Sequence, residues 1–259
     1  TVQATLTRLI LDKPFETLPM LAILPRGMTN MTAADIGISG KGSKGLLKLF
    51  DVVQRNDLES TIQKRRLLKL SNIKGYEPQI GMFFGTAGIT RAIEVCRSSV
   101  HSMNFEAEIA NGLTLAKLLF QWARSGGRDD SVLHGDNILV EIDGLKFEEK
   151  SYLLVLATTL EKLVLKSRPF WNCEPDGNDG HLHYTAISYP PRKLLRNALK
   201  ILYGGKQRSL PPEDYRSQDA QRVTLRMNCA FTLDGQLFEP HAEDPLILSA
   251  EDQASFVRI

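Results

Sequence analysis

The stretch LAILPRGMTNMTAADIG, residues 21–37, constrains this chain more than any other. Leu21, Ala22, Ile23 and Leu24 predict a short buried strand. Pro25, Arg26 and Gly27 predict a tight turn, and the polar residues after it predict the opening of a helix. A strand that runs through a glycine turn into a helix N-terminus is where α/β folds hold anions. The first N–H groups of a helix lack an intrahelical partner, and its dipole favours negative charge there. Thr29 and Asn30 add a hydroxyl and an amide as donors to phosphate oxygens. Thr32, with Asp35 three residues on, has the spacing of a capping box. The same pattern also serves a capped helix with no ligand, and these residues alone do not choose between the two.

Periodicity places the other elements. Val2, Leu6, Leu9 and Ile10 share a helical face, and Pro14 stops that helix. After a Gly- and Ser-rich connection, Leu46, Leu47, Phe50 and Val53 mark an amphipathic helix to about Asn56. Residues 61–73 contain a strand, RRLLKLSNI. Residues 81–84 (GMFF) form another, meeting a turn at residues 85–88 and a helix from Thr90. The longest predicted helix, residues 106–124, ends at Gly126-Gly127. The pattern then turns β. Residues 138–142 alternate, Asp143-Gly144 is a hairpin signal, and residues 152–157 (YLLVLA) are a buried strand. Pro190-Pro191 breaks the β region before a helix at residues 192–203. Two strands within 221–233, a second hairpin at Asp234-Gly235 and a strand at 245–249 follow. The fold class is α+β. A small α/β part (residues 1–42) precedes a β-rich, sandwich-like domain with peripheral helices (residues 43–259), whose last strands can pack back on the first part.

Composition removes several functions. A net charge of +2 gives no argument for nucleic acid. Cys96, Cys173 and Cys229 form no CxxC pair, so neither a disulfide framework nor a zinc site is indicated, and a reducing cytoplasm suits them. No apolar run approaches the roughly 20 residues of a membrane-spanning helix, and no signal peptide is visible.

Three further segments carry chemistry. Residues 173–181, CEPDGNDGH, can hold Mg²⁺ through a carboxylate, carbonyls and water, or simply turn between strands. His181 and His183 alternate onto one strand face and are too few for zinc, so they are expected to be surface histidines. FTLDGQL, residues 231–237, is a hairpin with a carboxylate at its tip. Arg192, Arg196 and Lys200, with Lys193 beside them, form a basic stripe opposite Leu194, Leu195, Ala198, Leu199 and Leu202. Such a helix packs its apolar face on a core, or docks on anionic lipid.

LPRGMTNMTAADIG resembles the LPxGTxND-type segment of the diacylglycerol kinase catalytic family, which includes bacterial lipid kinases and their sphingosine and ceramide kinase relatives. Thr1 resembles the last residue of that family's GGDGT motif, which runs directly into a helix; this implies that the rest of the motif, and an N-terminal part of the nucleotide-binding domain, are missing ahead of it. FFGTAGITRAIE is similar to the segment that opens the family's second domain, with Gly85 in place of Asn. Residues 176–181 resemble its magnesium site, which implies Asp179 as carboxylate ligand beside the carbonyls of Asp176 and His181. FTLDGQL resembles its D-G-E hairpin, whose Glu accepts the proton of the lipid hydroxyl. Here that position is Gln236, and an amide is not a base; Asp234 and Glu239 are the nearby carboxylates. Met28 and Met31 also depart, standing where Thr and Asp are usual.

The resemblance implies an ATP-dependent lipid kinase acting on diacylglycerol or a similar lipid at a membrane surface, reached from the cytoplasm. ATP phosphates would lie on Thr1, Gly27, Thr29 and Asn30, Mg²⁺ on Asp176, Asp179 and His181, and the chemistry on Asp234 and Gln236. No nucleic acid is implied, and a homodimer is compatible. Gln236 favours an alternative, a catalytically silent relative that binds nucleotide or lipid. An NAD kinase shares GGDGT and a similar fold, but this chain lacks its NE-type dinucleotide segment.

Overall fold

The computed structural model describes residues 2–26, 30–40, 43–100, 134–173 and 181–259. Helices α1 (Val2–Leu11), α2 (Met31–Ile36) and α3 (Ser43–Gln54) come first. Strands β1 (Ile62–Arg66), β2 (Leu68–Ser71), β3 (Gln79–Gly81) and β4 (Phe83–Ala87) lead into α4 (Gly88–Val100). From residue 134 the chain is mostly β: β5 (Asp136–Ile142), β6 (Leu145–Lys146), β7 (Lys150–Thr158) and β8 (Leu182–Ser188), then α5 (Leu194–Tyr203). Strands β9 (Tyr215–Ala220), β10 (Arg222–Met227), β11 (Phe231–Leu233), β12 (Gln236–Phe238), β13 (Leu246–Ser249) and β14 (Gln253–Val257) complete it.

Among the described residues, twelve strands form one antiparallel sheet, in the order β12-β11-β4-β7-β5-β10-β13-β2-β3, with β6 on β5 and β8–β9 branching from β7. Strand β7 is the reason the sheet curls. Its first residues pair with β5 and its last with β4, and the register on β8 shifts between Tyr152 and Leu154. One strand shared between two successive neighbours bends the sheet around the apolar side chains it encloses. Phe84, Val140, Val155, Tyr184, Leu225 and Phe231 lie in that core. The mixture of helices with a curled antiparallel sheet is the α+β class that the sequence predicts. Both hairpin signals are realised. Asp143-Gly144 and Asp234-Gly235 each hold two consecutive positive φ angles (50° and 82°; 49° and 86°), the backbone that a two-residue hairpin of the I′ kind requires.

A second core joins α1 and α2 to the sheet's edge. Leu6, Ile36, Leu67, Ile80, Met82 and Phe256 are buried together, each burial contributing roughly 1.5–3 kcal/mol. Helix α1 runs along β3, and its polar residues are used as well. Gln3 Nε2 donates to Gln79 Oε1 at 2.6 Å, and Thr7 Oγ1 accepts the Ile80 N–H at 2.9 Å.

Several elements differ from expectation. Residues 21–24 are not a strand. Leu21 makes a single parallel bridge to Phe256, while the Ile23 carbonyl turns away to accept the Ile38 N–H. Residues 61–73 split at Leu67 into strands of two sheets, β1 on β14 and β2 on β13. The apolar run 81–84 breaks at Met82, and residues 85–87 continue β4 instead of turning. Strand β14 has no counterpart among the predicted elements. The helix expected at 106–124 lies outside the described residues.

The amphipathic helices hold the largest surprise. On α3 the predicted apolar residues Leu46, Leu47, Phe50 and Val53 are all exposed, and Gly45 faces Leu24 and Ile38 instead. Helix α5 buries Leu194, Asn197 and Ile201, and leaves Leu195, Leu199 and Tyr203 outside. Arg192 is not part of that helix's basic stripe. It precedes α5 and is held by Asp214 at 2.7 Å and Glu213 at 2.8 Å.

Candidate active site

The Asp234 hairpin is fastened to the strand pair that carries α1. Asp234 Oδ1 accepts the N–H groups of Met82 at 3.1 Å and Phe83 at 2.9 Å, and its own N–H donates to the Phe83 carbonyl at 2.8 Å. This is why the run 81–84 breaks: the N–H of Met82 serves a carboxylate 152 residues away. Burial of the carboxyl pushes it up to about 6, against the lowering effect of the Met82 and Phe83 donors. Gly81 makes the approach feasible, because a Cβ there would stand 2.5 Å from Leu233 Cδ1 and 2.8 Å from Asp234 Oδ2. Since Gln79, two residues earlier, holds Gln3 of α1, the first turn of α1 and the hairpin meet on the same short strand.

Gln236 begins β12 opposite Leu233 and is exposed. The two catalytic candidates therefore face different surroundings: Asp234 is pinned by backbone donors, and Gln236 points outward with an amide. Glu239 is exposed and paired with Lys74 at 2.6 Å, so it lies apart from Asp234's environment.

On the other side of the second core, Asn30 caps α2. It adopts a left-handed conformation (φ 46°) and its side chain makes no capping bond to the helix. Gly27 and Thr29 lie outside the described residues, as does Thr1. The capping box expected of Thr32 and Asp35 is not formed. The helix begins at Met31, which places Thr32 inside its first turn, and Asp35 is drawn into the interior instead. There Asp35 Oδ2 meets Arg65 Nη2 at 3.2 Å and accepts the Glu161 N–H at 3.0 Å. Burial pushes the Asp35 carboxyl up and Arg65 opposes it. The pair ties α2 to β1 and to the segment after β7. Sequence reasoning missed it, and only the depth of Arg65 in an otherwise polar strand distinguishes it from a surface cation. A second such tie, Arg91 to Asp136 at 2.6 Å, joins the first turn of α4 to β5.

Asp176 and Asp179 lie outside the described residues. His181, just before β8, is half-buried. His183 is not the surface histidine expected. It is 4% exposed, stacked on Phe170 at 4.5 Å, and its Nδ1 is 2.7 Å from Asp219 Oδ1 on β9, its cross-strand partner. With Cys173 these side chains form a Cys-His-Asp group whose donor atoms lie within 4.8 Å of one another. The Cys173 thiol donates to the Trp171 carbonyl at 3.2 Å, and burial, with Asp219 beside it, pushes the thiol up. The spacing of 173, 183 and 219 gave no sequence signal, because strand pairing alone brings His183 and Asp219 together.

The sequence matches no protein-family model and no curated protein. Solved structures do match it. One is a candidate diacylglycerol kinase from Bacillus anthracis str. Sterne, at TM-score 0.59 and 13% identity over 94% of this chain and 70% of that one. A diacylglycerol kinase structure from the same organism matches at TM-score 0.53 and 16% identity, covering 94% of this chain and 68% of that one. The fold is diacylglycerol-kinase-like. A third structure, also a candidate diacylglycerol kinase from that strain, agrees at TM-score 0.55 and 16% identity over 95% of this chain and 71% of that one. Among the described residues of this kinase-like fold, no helix is long and apolar enough to cross a membrane.

Proposed function

We propose that this chain is an ATP-dependent lipid kinase that phosphorylates the hydroxyl of diacylglycerol or a similar lipid. The observation that carries the reading is the Asp234 hairpin seated on β3 and β4 at the strand where α1 begins. A helix start beside a fixed carboxylate suits phosphoryl transfer, which depends on positioning and on charge neutralisation more than on covalent chemistry. The family resemblance puts nucleotide phosphate at Gly27, Thr29 and Asn30, and Asn30 stands at the N-cap of α2. Mg²⁺ arriving with ATP would neutralise phosphate charge, and the resemblance implies a separate, structural Mg²⁺ on the Asp179 carboxylate with the carbonyls of Asp176 and His181.

The chain's own residues set the order of roles. Asp234 orients the hairpin, and its elevated pKa makes it basic enough to accept a proton near neutral pH. Gln236 can hold a lipid hydroxyl by hydrogen bonding but cannot take its proton. A silent, lipid- or nucleotide-binding relative is the second reading, favoured by the outward amide of Gln236 and by the backbone donors on Asp234.

The test follows transfer of labelled γ-phosphate from ATP to diacylglycerol in mixed micelles, for the native chain, Gln236→Glu and Asp234→Asn. Turnover by the native chain that falls at least about tenfold in Asp234→Asn is the expected result. Turnover by Gln236→Glu alone would assign the native chain to the silent reading. ATP binding with no turnover by either would remove lipid as the acceptor.

A further inference from the structure

We propose that the outer face of α5 is a docking surface for an anionic lipid bilayer. The sequence left two uses for its leucines, packing on the core or docking on lipid, and Leu195, Leu199 and Tyr203 are 49%, 72% and 52% exposed. They recur every four residues, so they form one stripe along the helix. The patch extends past the helix end. Tyr203 Oη donates to the Leu165 carbonyl at 3.4 Å, and Leu165 is itself exposed, with Lys166 next to it. Arg196 and Lys200 line one edge of the stripe and are exposed, and among the described residues neither forms an ion pair. No acid lies on α5, and the acids of the following loop, Glu213 and Asp214, are already held by Arg192. An apolar stripe edged by unneutralised cations is the surface that inserts shallowly at a headgroup layer rich in negative charge.

Helix α3 does not share this chemistry. Its apolar residues are as exposed and it also carries Lys44 and Lys48, but unlike α5 it carries an acid, Asp51, which pairs with Arg55 at 3.0 Å. The choice of a bilayer over a second protein chain rests on the lipid-kinase reading. The fit of charge to the surface does not.

The test is sedimentation of the full chain with phosphatidylcholine vesicles, with and without phosphatidylserine, in the absence of ATP. Binding to the anionic vesicles is expected, weakening as salt is raised. Arg196→Gln with Lys200→Gln should weaken it about 25-fold, some fivefold for each cation. Leu195→Ser with Leu199→Ser should weaken it at least about tenfold, and these exposed positions should leave the melting temperature unchanged. No binding by the native chain overturns the proposal, as does undiminished binding by both variants. Loss confined to an α3 variant, Leu47→Ser with Phe50→Ser, overturns it too. So does a native dimer that dissociates in the leucine variant, because a second copy would then be the occupant. Phosphate transfer in detergent micelles is a separate readout, so failure of docking and failure of the kinase reading are told apart.

Discussion

Helices α1 and α5 are each ten residues long and amphipathic, yet the fold treats them in opposite ways. Helix α1 is drawn in by both kinds of force. Leu6 is buried in the second core, and Gln3 and Thr7 are bonded to the side chain of Gln79 and the backbone of Ile80 on β3. Helix α5 is held by Leu194, Asn197 and Ile201, while Leu195 and Leu199 remain outside. An apolar stripe states that a face needs covering. It does not state that the same chain covers it. Where polar groups of a neighbouring strand match those of the helix, the contact is internal; where the stripe is bordered by unpaired cations, it is left for something else.

Five substitutions break or sharpen this contrast. The largest effect is expected around α2, on the tightly tied side. Arg65→Met removes the partner of a buried carboxylate and should cost about 3–5 kcal/mol in urea unfolding. Leu6→Ala should cost about 2–5 kcal/mol by the same measurement, since it opens a cavity under α1. Asp234→Ala should cost about 1–3 kcal/mol, because it strands the N–H groups of Met82 and Phe83.

Asp234 also leaves a signature in pH. Its folded pKa, about 6, lies above the unfolded value of about 4, so the folded state binds more protons between them. Its contribution to stability is therefore full below pH 4 and declines as pH rises through 6. Asp234→Asn should remove that part of the slope, seen as a flatter dependence of the urea midpoint on pH. The smallest effect belongs to α5: Leu199→Ser should change stability by no more than about 0.5 kcal/mol, against the cost at Leu6. A loss of several kcal/mol there would show that the α5 stripe is packed after all.

The elements that could be read in advance were those governed by local chemistry. Asp143-Gly144 and Asp234-Gly235 formed the expected hairpins because their backbone requirement is met within two residues. Residues 152–157 became most of β7, since an uninterrupted apolar run suits a strand covered on both faces. Asp35 shows the opposite case. Its spacing from Thr32 suggested a cap, but a buried guanidinium 30 residues away offered a stronger partner. His183 was expected at the surface because two alternating histidines are too few to hold zinc, and strand pairing with Asp219 put it inside.

The sequence by itself determined the α+β class, the helical stretches at α1, α3 and α5, and the two Asp-Gly hairpins. These follow from side-chain period and turn geometry over a few residues. Only the tertiary structure decided that Asp234 would spend its oxygens on Met82 and Phe83, that Asp35 would find Arg65, and which face of α5 would stay in solvent. Each of those outcomes depends on which distant segments share a boundary with water, and periodicity along one segment holds no information about that.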